Sequence, residues 1–150
     1  MVKIINFPNN EFVRDQFHNG DDLCNLNYFD NSLQILNSLA TKHELHIVSA
    51  LEPEQEAKRR ENLRDLNYHS LRCVGDNYKE KIIVEEIKPD IMLEDRPELI
   101  KAFYKAGIIV IYPKWHIYTE GMDRFATPFS NWLEVPELVQ INSKKIEDFC

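Results

Sequence analysis

Glu94 and Asp95 stand side by side at the end of the apolar run "DIMLED", and adjacent carboxylates at a strand end are the usual oxygen donors for a magnesium ion. Asp95 has a second use, because Pro97 and Glu98 follow it with the spacing of a helix N-cap and its capping box. Ser49 closes another apolar run, "HIVSA". Its hydroxyl and the next backbone N–H, that of Ala50, suit a phosphate oxygen, or simply a turn before a helix. Lys79 and Lys81 precede the acidic pair. A lysine close to that pair would neutralise it or hold an anion beside it, while taken alone either is an ordinary solvated cation.

Other chemical residues are less tightly specified. "HELH" at 43–46 places two histidines three apart, but the segment runs into a strand rather than along a helix, which is poor zinc spacing. Trp115, His116 and Tyr118 suit stacking on a base, or packing of an irregular tail against a sheet. Cys24, Cys73 and Cys150 share no metal-like or redox spacing and read as free thiols.

These residues need a scaffold that brings strand ends together. Residues 3–7, "KIINF", are short and apolar, as suits a strand buried on both faces. A flap at about 10–30 contains the turn-rich "HNGDD", and a helix from about Ser32 to Lys42 leads into the strand "ELHIVSA". Pro53 opens a charged, mostly exposed helix reaching about Leu66, and "LRCV" is the next strand. A helix at 79–88 stops before Pro89, "DIMLED" forms a strand, and "RPELIKAFYKAG" forms a helix ended by Gly107. "IIVIY" is the last strong strand, and "NWLEVPELV" begins a closing helix. Strands alternating with helices imply an α/β fold with a doubly wound, mostly parallel sheet. Ligands bind such sheets beyond the carboxyl ends of the strands, where Ser49, Glu94 and Asp95 fall.

The 150 residues fit one domain with one core, and a content of 43% hydrophobic and 29% charged residues is that of an ordinary globular chain. A net charge of −7 disfavours a broad grip on nucleic acid. No apolar run has the length of a signal peptide core or a membrane span, so a cytoplasmic protein without membrane contact is expected.

"LNSLATKHELHIVSA", "VEEIKPDIMLEDRPELIKAFYKAGIIVIY" and "FSNWLEV" together resemble the haloacid-dehalogenase (HAD) superfamily of phosphohydrolases, and within it the pyrimidine deoxyribonucleotidase family. The resemblance implies a HAD-like Rossmannoid sheet with a minimal cap. It implies phosphate binding by Ser49 and Ala50, and a third-motif lysine at Lys81, with Lys79 left open because the spacing to the acidic pair is about one residue short. It implies magnesium on Glu94, on Asp95 behind it, and on the Asn10 carbonyl. That family uses an aspartate after the first strand as nucleophile and a second one two residues later as acid and base. The matching positions here are Pro8 and Asn10, which can do neither. The expected protein is catalytically degenerate and binds a nucleotide-like small molecule or a protein partner without turnover. The alternative is a magnesium-dependent phosphohydrolase with an atypical nucleophile, such as Asp15, Asp21 or Asp22, or a directly activated water. Another doubly wound module, such as a receiver-like domain, is a third reading, although the early acidic cluster it needs is absent.

Overall fold

The computed structural model describes residues 3–6, 28, 31–114 and 120–148. The flap apart from Tyr28, Pro8, Asn10, Cys24, Cys150, and the aromatic group Trp115, His116 and Tyr118 lie outside the described residues.

Six strands form one sheet: β1 (Lys3–Asn6), β2 (Glu44–Ser49), β3 (Ser70–Cys73), β4 (Ile91–Leu93), β5 (Ile109–Pro113) and β6 (Thr127–Phe129). Their order is β3-β2-β1-β4-β5-β6, and every described pairing is parallel. The N-terminal strand therefore lies inside the sheet, with Asn6 opposite both Ile47 and Leu93. The chain turns from one half of the sheet to the other at β1, the topological switch point at which such folds take ligands. Lys3 ties β1 to the loop before β4, since its N–H donates to Asp90 Oδ2 at 2.7 Å and its carbonyl accepts from Asp90 N–H at 2.9 Å.

Parallel strands need covering on both faces, and the alternation of side chains divides the core accordingly. Leu45, Ile47, Leu71, Cys73, Ile91 and Leu93 point to one face. Helix α1 (Ser32–Ala40) and the closing helix α5 (Val135–Asp148) pack there through Leu36, Leu39, Val135 and Val139. Helix α2 (Glu56–Asn62), entered through a 3-10 turn at Pro53–Gln55, lies on the same side, and Leu63 and Leu66 just beyond it join that core. Val48, Met92 and Val110 point to the other face. Helix α3, whose α-helical first turn (Lys79–Lys81) widens into a π-helical stretch (Ile82–Ile87), covers it through Ile83. Helix α4 (Pro97–Lys105) adds Leu99, Ile100 and Phe103.

Several expected boundaries shift for physical reasons. Helix α4 begins with Pro97, whose missing N–H costs nothing in a first turn, and Gly107 at φ +81° ends the segment. The helix expected to run from Pro53 to about Leu66 ends at Asn62, and it is not mostly exposed, because Arg59, Asn62, Leu63 and Leu66 recur at helical spacing and are all buried. Strand β6 begins where the sequence reads as the end of an irregular tail, Pro113 to Thr127, and it contains Pro128, which cannot donate to a ladder. It is tolerated because β6 is an edge strand with β5 as its single neighbour. Among the described residues no helix is long and apolar enough to cross a membrane.

Candidate functional site

Ser49 ends β2 and Glu94 follows β4, so the two flank the exit of β1. Neighbouring strands are about 4.8 Å apart, which places these two strand ends about 10 Å from one another. Both residues are wholly buried. Their exclusion from water is a property of the sheet, whose interior strands carry neighbours on both sides and helices on both faces.

Glu94 has neighbours of opposite polarity on two sides. Its Oε1 accepts the backbone N–H groups of Asp95 at 2.9 Å and Arg96 at 3.2 Å, so the carboxylate folds the start of its own loop. Its Oε2 lies 3.1 Å from Lys79 Nζ, and this lysine is itself only 2% exposed. Lys81 is exposed, one face of the helix away. The structure thus places Lys79, not Lys81, beside the acidic pair. The sequence signal for this is helical phase, since Lys79 precedes the buried Ile83 by four residues. Burial alone would raise the Glu94 pKa, but the Lys79 ammonium and hydrogen bonds from Asp95 and Lys79 outweigh it and hold the carboxyl below its ordinary value.

Asp95 goes the other way. Burial, then the charge of Glu94 and the hydrogen bond between the two side chains, push its pKa up to about 7. Near neutrality the pair therefore behaves as one carboxylate and one carboxyl group that is partly protonated. The N-cap position of α4 falls one residue later than the expected Asp95. Arg96 occupies the N-cap of α4 without a side-chain bond to the helix, and Glu98 pairs with Arg96 at 3.0 Å. Arg96 also reaches Asp76 at 3.0 Å, which links the loop after β4 to the loop after β3 at the rim of the site. A capping box does occur before α5, where Asn131 Oδ1 accepts the N–H of Leu133 at 2.9 Å and Glu134 reaches back to the Asn131 N–H at 3.0 Å.

On the other side of β1, Ser49 Oγ accepts the Leu51 N–H at 3.3 Å, and Cys73 is its register partner on β3. Burial raises the Cys73 pKa to about 11, which makes this thiol inert as a nucleophile. Ala50 follows, half-buried. In "HELH", His46 Nδ1 is 2.6 Å from Ser70 Oγ, and His69 Nδ1 accepts the Leu45 N–H at 3.0 Å. His46 is thus committed to the sheet rather than to a metal.

A magnesium ion requires several oxygen donors and keeps part of its water shell. Among the described residues no three His, Cys, Asp or Glu side chains gather in a way that could hold a metal ion. Glu94 already faces two amides and an ammonium. The described residues do not by themselves supply the donor set of a magnesium ion.

No protein-family model and no curated protein sequence matches this chain. Its structure, however, is similar to solved ones. A D,D-heptose 1.7-bisphosphate phosphatase from B. bronchiseptica, complexed with magnesium and phosphate, superposes with a TM-score of 0.70 at 11% identity, over 93% of this chain and 98% of that one. A haloacid dehalogenase-like family hydrolase from Streptococcus pneumoniae superposes with a TM-score of 0.68 at 9% identity, again over 93% and 98% of the two chains. At such identities the likeness concerns architecture, and with the parallel six-stranded sheet and its switch point at β1 it establishes that this chain has a haloacid-dehalogenase-like α/β fold.

Proposed function

We propose that the protein binds a phosphate-bearing small molecule, nucleotide-like in class, at the exit of β1 and does not hydrolyse it. The observation that carries this reading is the closed ion pair of Lys79 and Glu94 beside a strand whose next four residues, 7–10, include no carboxylate. A phosphohydrolase that works through an aspartyl-phosphate needs a nucleophilic carboxylate in that segment. In this reading the Ser49 hydroxyl and the Ala50 amide donate to phosphate oxygens, as groups at strand ends and helix starts do. The buried Lys79 ammonium offsets the charge of Glu94, so the pocket does not repel an anion.

The test is phosphate release from a panel of ribo- and deoxyribonucleoside monophosphates with magnesium present, in wild type and Glu94→Ala, alongside calorimetric titration of the same nucleotides. Binding without release in the wild type is expected. Release above background that disappears in Glu94→Ala would show an enzyme with a different nucleophile and would end this reading.

A further inference from the structure

Arg59 on α2 is fully buried, yet among the described residues no carboxylate pairs with it. One guanidinium nitrogen donates to Asn62 Oδ1, while Nε and the other terminal nitrogen have no hydrogen-bond partner among the described residues. An unpaired guanidinium inside a protein is expensive, because both its charge and its unused N–H groups have lost water. Desolvation lowers its pKa to about 10, which still leaves it charged at neutrality.

The location of this group is as informative as its lack of a counter-charge. The Cys73 N–H donates to Glu56 Oε1 at 3.0 Å, one helical turn before Arg59, and Cys73 is the register partner of Ser49, so α2 packs against the Ser49 end of the sheet. Ser49, Cys73 and the residues that follow Arg59 along the chain, Leu63 and Leu66, belong to the same side of the sheet. Lys79 and Glu94 approach from the other side, where Ile83 and Met92 pack.

We propose that Arg59 is an anion-binding residue whose two unused N–H groups receive an oxyanion of a small ligand beside Ser49. It rests on the phosphate-ligand reading for the choice of phosphate as the first probe, and it adds a second cationic contact, on the opposite side of the sheet from Lys79. A planar guanidinium matches two oxygens of a phosphate or a carboxylate in a bidentate contact. The ligand then supplies the counter-charge that the chain withholds.

The experiment is thermal unfolding and calorimetric titration of the full chain with inorganic phosphate, and separately with citrate, in wild type, Arg59→Met, Arg59→Lys and Ser49→Ala. Expected is phosphate binding by the wild type, weakened at least about tenfold in Arg59→Met and less in Arg59→Lys, since the lysine keeps charge but loses the fork. Arg59→Met without ligand should be as stable as wild type or more so, because it removes a buried unpaired charge. Unchanged phosphate affinity in Arg59→Met, with loss in Ser49→Ala, would overturn the role of Arg59 and leave the phosphate reading standing. Citrate binding that depends on Arg59, with no response to phosphate, would keep Arg59 as the anion residue and end the phosphate reading. An unliganded Arg59→Met that melts far below wild type, matched by Asp15→Asn, Asp21→Asn or Asp22→Asn, would assign the counter-charge to the chain itself and overturn the proposal.

Discussion

Lys79 Nζ and Glu94 Oε2 meet at 3.1 Å in the interior, from a helix on one face and a strand end two positions past Met92. Such a pair is a weak source of net stability, but each member depends heavily on the other. Lys79→Met leaves the Glu94 charge buried and uncompensated, and should cost about 3–5 kcal/mol in urea unfolding. Adding Glu94→Gln to Lys79→Met should recover much of that loss, and the double-mutant cycle reads out the coupling. Independent, additive losses would mean that the two side chains do not form a pair in solution.

Lys81 serves as the internal control. It is exposed, so Lys81→Ala should change stability by no more than about 0.5 kcal/mol and leave nucleotide titrations as in wild type. A loss of ligand binding in this variant alone would return the anion role to the position that the spacing first suggests.

His46 gives a pH dependence with a defined sign. Burial, which outweighs the nearby Glu44, lowers its pKa below the usual 6.5, with Lys3 and His69 acting in the same direction as burial. A depressed folded-state pKa means that its contribution is complete above 6.5 and is lost as pH falls through the folded value. The stability difference between wild type and His46→Gln should therefore shrink as pH is lowered from 7 to 5. Comparing the variant with wild type at each pH cancels the opposing titration of Asp95 and the parallel one of His43. A difference that grows on acidification would mean that the imidazolium is favoured by the fold, through Glu44.

Gly107 stands at φ +81° with open space where a Cβ would go. Gly107→Ala therefore tests backbone strain without a clash and should cost about 1–2 kcal/mol in thermal or urea unfolding. Asn131→Ala, which removes the cap bonded to Leu133, should cost about 1 kcal/mol by the same measurement.

Where the sequence was readable, a local rule and the tertiary fold agree. The apolar runs of β2, β4 and β5, the proline that starts α4 and the glycine that ends it all speak through near neighbours in the chain. The positions of Ser49 and Glu94 at strand ends followed from the same runs. What stayed hidden required phase or topology. Lys79 and Lys81 look alike by composition, and the four-residue step to Ile83 separates them. Arg59 sits in the charged stretch "EQEAKRRENLRDLN", where charge masks the spacing that links it to Leu63 and Leu66. Asp95 looked like a cap because its local motif is sound, yet Glu94, two residues before the helix N-cap Arg96, accepts the amides there.

The interior position of β1 also governs the order in which the chain can become a folded body. Ile4 pairs with Leu45 on one side and with Ile91 on the other, and the Lys3–Asp90 contacts close a loop of 87 residues. During synthesis at about 5–20 residues per second, β1 waits on the order of ten seconds for its second neighbour. Until β4 emerges, β1 exposes a strand edge built for pairing, the kind of surface that other chains and chaperones recognise. A sheet nucleated this way has high contact order and should refold in milliseconds to seconds rather than microseconds. The strand that separates Ser49 from Glu94 at the centre of the sheet is thus also the step on which folding turns.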